Sequence, residues 1–195
     1  ALGAASATFA EVVKAEVQMS VPRVDILTRH SLVQRLAELP DTSARRRIIA
    51  VAQDFASGRA IETDAVLLLP QQACLDVVRR MLGEHASEVQ DIGELEQDAL
   101  AEIGNIIINS CMSSLADMLD VEFQGSLPTV NSAEVDELVD QLHPSDATLL
   151  AQISMTLKAS NVTGVVLFLM NVPSLENLIA RMRAYFGLSD EVAQG

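Results

Sequence analysis

Positive charge is scarce in this sequence. Thirteen Lys and Arg stand against twenty-seven Asp and Glu, a formal net charge of −14 at pH 7. Such an excess repels phosphate backbones and anionic lipid alike, so nucleic acid and membrane surfaces are excluded as expected partners. No apolar run approaches the ~20 residues of a spanning helix and no basic-then-apolar leader opens the chain, which makes the cytoplasm the expected compartment. The only cysteines, Cys74 and Cys111, both sit in apolar helical surroundings and read as reduced core residues. His30, His85 and His143 have no helical or hairpin spacing to one another or to a cysteine, so no metal site is expected. A Gly-rich phosphate loop and a nucleophile elbow are both missing. The chain carries no obvious nucleophile of its own.

What it does carry is apolar bulk, 49% of 195 residues, enough for a substantial core. It also carries one unusual helix, running from Glu94 to about Leu115. At about 100° per residue, Leu100, Ile103, Ile107, Cys111, Ser114 and Met118 fall on one side, suited to a core. Asp98, Glu102, Asn105 and Asn109, at i, i+4, i+7 and i+11, form a polar stripe expected on the exposed side. Asn is a poor helix former and Gly104 costs roughly 1 kcal/mol against Ala inside a helix, so stability alone did not select these residues. Gly104 projects away from the stripe and reads as a packing glycine.

The rest of the chain predicts an internal repeat. Residues 1–15 read as a helix. Val17, Met19 and Val21 alternate as a strand whose phase slips after Pro22, so that Val24 and Ile26 carry its apolar face. Ser31 with Gln34 suggests a capping box for a short helix that Pro40 ends. Residues 45–57 and 59–69 predict a hairpin turning at Ser57-Gly58, followed by a helix from Pro70 to Gly83. A shift of 106 residues places Pro22 on Pro128 and Val24 on Val130. An acidic helix over 133–142 follows. Then come an alternating strand over 149–157, a turn at Asn161-Val162-Thr163-Gly164, a strand over 165–170 and a helix near Pro173, the shift now reduced to 100. The expected fold is α+β: one domain over 1–195 built of two tandem αβαββα repeats, approximately 1–85 and 92–188. They are related by a pseudo-twofold axis and share a largely antiparallel sheet layer covered by helices.

Asp98, three residues, Glu102, two residues, Asn105, then twenty-two residues and Pro128 resembles the signature of the CheC/CheX/FliY family of response-regulator phosphatases. The resemblance implies the same architecture and a hydrolase for the aspartyl phosphate of a CheY-type receiver. In that reading Asn105 positions the attacking water, Glu102 pairs with a lysine of the receiver, and Asp98 and Asn109 contact the docked partner. Pro128 and Gly104 are structural. No cofactor is expected in this chain, and the Mg²⁺ is expected on the receiver. A CheD-type deamidase is a second partner of some relatives. The alternative function is a non-catalytic adaptor or flagellar-switch module of the same fold.

Overall fold

The computed structural model describes residues 7, 10–11, 16–20, 23–37, 47–58, 61–82, 92–141, 148–157 and 162–187. The opening helix expected over 1–15 falls almost wholly outside them, as do Pro22, Pro40 and Gly83. In chain order come β1 (Val17–Met19), β2 (Arg23–Leu27), α1 (Arg29–Ala37), β3 (Ile48–Ser57), β4 (Ile61–Pro70) and α2 (Gln71–Leu82). The second half follows with α3 (Glu94–Leu119), β5 (Gln124–Gly125), β6 (Thr129–Ala133), α4 (Val135–Gln141), β7 (Thr148–Leu157), β8 (Val162–Met170) and α5 (Val172–Tyr185).

All strand pairs are antiparallel and the order is β1-β7-β8-β4-β3-β5, with β2 continuing β1 along β7 and β6 continuing β5 along β3. Each half thus lends its edge strand to the hairpin of the other half. Phe55 pairs with Thr63 in one hairpin and Met155 with Gly164 in the other, so β3 maps onto β7 by a shift of 100 and β4 onto β8 by 101. That second shift carries Val66 onto Leu167, its own partner across the centre, which places a local two-fold axis at that pair.

The edges obey the same axis. From Met19 to Arg23 the chain advances four residues while its partner strand moves three, from Met155 to Gln152. From Gly125 to Thr129 it again advances four against three, from Phe55 to Ala52. One extra residue in each edge is the bulge that a phase slip demands. The bulges are pinned alike: Ser20 N donates to Ser154 O (2.8 Å) and its Oγ accepts from Ser154 N (3.0 Å). Ser126 does the same with Asp54, at 2.8 and 3.0 Å. Pro128 lies inside the second bulge, where a residue without an N–H removes no ladder bond.

Helices cover both faces of the sheet. Leu32 and Leu36 of α1 and Leu138 and Val139 of α4 pack on Ile48, Ala50, Val66 and Leu68. Helices α2 and α3 pack on the other face, over Ile49, Val51, Phe55, Ala65, Leu67 and Leu69. With both faces buried, β4 reads as an unbroken apolar run from Ala65 to Leu69. Part of α3, Glu94–Asp117, is long and apolar enough to cross a bilayer by length and composition. Its apolar side is spent on the sheet instead.

Local expectations needed correction at several places. Helix α1 is capped by Thr28, whose Oγ1 accepts from Ser31 N (3.3 Å) and whose carbonyl accepts from Leu32 N (2.9 Å), so Ser31 lies inside the first turn. Thr28 offers the same chemistry as Ser31 one turn earlier. Pro70 ends β4, paired with Ile48, rather than opening α2. Ala133 belongs to β6, and Val162 to Gly164 pair with Leu157 to Met155 in β8 instead of turning, as β-branched residues favour. Val24 and Ile26 are exposed, while Asp25 meets α1 through Arg35 (3.3 Å) and Leu27 packs on the cluster of Leu32 and Leu36. Val130, the repeat-mate of Val24, does pack into the core, because α3 lies over that edge.

Cys74 and Cys111 are free and buried. Burial pushes both thiols up, Cys111 to about 11 and Cys74 beyond it. Below the ordinary thiol value of 9.0 both states are protonated; above it the unfolded chain ionises while the folded chain resists, so stability is lost as pH rises from there through the folded values. The expected result is negligible labelling by a thiol reagent at pH 7.5 until denaturant is added, and a melting temperature that declines above pH 9.0. Rapid native labelling of either thiol would show that its helix opens.

Candidate functional site

Helix α3 begins without a side-chain cap. Gly93 occupies the cap position, its N–H donating to Glu96 Oε2 (2.9 Å), and Glu94 and Glu96 meet the positive end of the dipole. The helix ends at Asp120 in the left-handed region (φ 52°).

Its buried arc holds Leu100, Ile103, Ile107 and Cys111 as the periodicity predicts, and also Gly104, Ile108 and Met112. The helix is therefore turned toward the 104–108–112 edge. Gly104 decides this rotation. It lies directly on β3, where a Cβ would stand 2.7 Å from Val51 Cβ and closer still to Cγ1. Gly104→Ala is expected to lose about 1–3 kcal/mol to overpacking, offset by up to ~1 kcal/mol of helix propensity. At roughly 2–4 °C per kcal/mol for a chain of this size, thermal unfolding should shift down by several degrees. An unchanged midpoint would mean that α3 can lift off β3 freely.

The same rotation alters the polar stripe. Asp98 and Glu102 are exposed, and neither has a hydrogen bond or ion pair among the described residues. Asn105 and Asn109 are not on the exposed side as expected; they are half-buried at the rim of the helix–sheet contact. There they meet Gln53, which sequence reasoning missed. Gln53 is 3% exposed on β3, on the face shared by Ile49, Val51 and Phe55. An amide at an inward position of an otherwise apolar strand was the signal that could have found it.

Three carboxamides interlock. Gln53 Nε2 donates to the Ser126 carbonyl (3.0 Å) and to Asn105 Oδ1 (3.1 Å). Asn109 Nδ2 is shared among the Asn105 carbonyl (2.8 Å), Asn105 Oδ1 (2.8 Å) and Gln53 Oε1 (3.4 Å). The backbone carbonyls fix the orientation of the whole group, since a carbonyl can only accept. Gln53 and Asn109 must each turn nitrogen toward their carbonyl, and the atom of Asn105 that meets both nitrogens must be its oxygen. Asn105 Nδ2 is left with no partner among the described residues. The Ser126 carbonyl belongs to the bulge that contains Pro128, so the distant proline of the motif shapes the support of Asn105. Leu127, beside it, is 86% exposed.

Among the described residues no three His, Cys, Asp or Glu side chains gather as a metal set. The site offers an amide donor beside an exposed carboxylate, which suits the positioning of a water or an anion rather than nucleophilic attack.

Residues 95–132, which span the motif from Leu95 to Ser132, match the model of the CheC-like family. The CheY-P phosphatase CheC of Bacillus subtilis (strain 168) is 25% identical over 134 residues, 66% of this chain and 59% of that protein. The chain therefore spans less than two thirds of the length of that relative. FliY of Thermotoga maritima has the same fold at a TM-score of 0.71 and 15% identity, covering 94% of this chain and 90% of that one. A structure of the FliG–FliM complex of H. pylori matches with a TM-score of 0.59 and 15% identity over 90% and 89% of the two chains. With the pattern of Asp98, Glu102, Asn105 and Pro128, these likenesses support kinship with the CheC/CheX/FliY family.

Proposed function

We propose that this chain is a cytoplasmic phosphatase that hydrolyses the aspartyl phosphate of a phosphorylated CheY-type receiver. The observation that carries the reading is the fixed carboxamide of Asn105, its Nδ2 unpartnered among the described residues, on the same helix as the exposed carboxylate of Glu102. The receiver supplies the acyl phosphate and holds the Mg²⁺, so this chain needs neither nucleophile nor metal. Phosphoryl transfer passes through a loose transition state with little bonding to the entering oxygen, so a water has to be located more than deprotonated. Asn105 Nδ2–H donates to one lone pair of that water and leaves the other directed at phosphorus, in line with the scissile bond.

Glu102 anchors the helix over the phosphate by pairing with a lysine of the receiver. Asp98, one turn earlier, lies at the edge of the docked surface. Asn109 acts through Asn105, since its amide hydrogens are already used within the chain. The deciding measurement is decay of a phosphorylated receiver with and without this protein. A second reading rests on the likeness to the FliG–FliM structure: an adaptor of the same fold whose helix face binds a partner without catalysis. Saturable binding of the receiver or of a CheD-type deamidase with no acceleration of decay would favour that reading.

A further inference from the structure

We infer that Gln53 is a positioning residue that sets the orientation of the Asn105 carboxamide, an inference that rests on the phosphatase reading. The pseudo-twofold axis supplies an internal control. Asp54 and Ser154 make the same pair of bonds to the serine of their respective bulges, so the residues before them, Gln53 and Ile153, occupy equivalent places. Both are buried, at 3% and 4% exposure. The fold accepts isoleucine at this place, and the amide stands in the half of the sheet that α3 covers.

A buried amide is tolerated only when its polar atoms are satisfied, and Gln53 Nε2 and Oε1 both are. Its Nε2 is anchored on the Ser126 carbonyl, a backbone group of the bulge. It therefore transmits a fixed reference from the sheet to Asn105. Without it, Oδ1 is held only by Asn109, which sits on the same helix and shares its hydrogens with the Asn105 carbonyl. The Asn105 amide then loses its tie to the sheet, and it can turn either oxygen or nitrogen outward.

Gln53→Ile copies the repeat-mate and should fold. At saturating phosphorylated receiver its kcat is expected to fall about 10-fold or more, with KM within about twofold of wild type, as for a misplaced reacting geometry. Gln53→Ile combined with Asn105→Ala should lose no more than Asn105→Ala alone. Gln53→Met, nearer in length and equally unable to donate, is the second variant if the isoleucine protein does not fold. The readout independent of activity is the ¹⁵N-labelled side-chain amide of Asn105: one ordered NH₂ pair in the wild type, a shifted and less ordered pair in the variant. An unchanged Asn105 amide overturns the positioning role, as does an unchanged kcat in an active protein or a loss confined to KM. If the wild type does not accelerate receiver decay at all, the phosphatase reading fails, and the amide spectrum still decides whether Gln53 orients Asn105.

Discussion

Asn105→Asp is expected to give a folded protein whose acceleration of receiver dephosphorylation is lower by about 10²-fold or more, the usual scale for one well-placed polar group. The aspartate retains an oxygen for Gln53 Nε2 and Asn109 Nδ2, now as charge-assisted bonds, so the internal support survives. What is lost is the outward Nδ2 donor. In its place stands a carboxylate oxygen, which cannot donate to the water and repels the phosphoryl oxygens. Asn105→Ala should lose rate on a similar scale, but it also takes from buried Gln53 Nε2 one of its two acceptors, leaving one hydrogen unsatisfied. One buried unsatisfied group costs about 1–3 kcal/mol, so the alanine protein should unfold at a lower temperature than the aspartate protein. Single-turnover decay rates, receiver binding and circular dichroism on both variants separate the two effects. A folded Asn105→Asp protein with the wild-type rate would remove Asn105 from the chemistry and leave the adaptor as the better reading.

Glu102→Ala should instead weaken docking. Its carboxylate is exposed and has no partner within the described residues, so its removal strands nothing inside the chain and the fold should be unaffected. Loss of a charge-assisted contact to the receiver's lysine costs roughly 1.5–3 kcal/mol if the pair is desolvated on docking, or about 10- to 150-fold in Kd. Since the contact exists before reaction, kcat at saturation should change little. Rising salt should shrink the gap between wild type and variant to the extent that the pair stays at a wet rim. Titration of a labelled receiver against both proteins at two ionic strengths measures this. Unchanged Kd with a depressed kcat would place Glu102 in the reacting geometry instead of the anchor.

The alternation, the two phase slips and the shifts of 106 and 100 are local features, and a chain needs no tertiary knowledge to display them. They specified the hairpins, the bulged edges and a shared sheet, because strand parity and proline geometry depend only on neighbouring residues. The motif likewise put Asp98, Glu102 and Asn105 on a single helix before any coordinates were needed. The rotation of that helix was not legible. Ile106, Ile107 and Ile108 run consecutively and fit more than one helical phase, and the choice fell to Gly104 against Val51, two residues far apart in sequence that meet only across the sheet. That contact moved Asn105 and Asn109 from the exposed side to the rim. The partners there were equally hidden, since Gln53 comes from β3 and its orienting carbonyl from the bulge at Ser126. Periodicity records which residues are apolar and how they repeat. It carries no information about which polar atom of one element will meet which of another, and here that pairing alone decided which end of the Asn105 carboxamide faces outward.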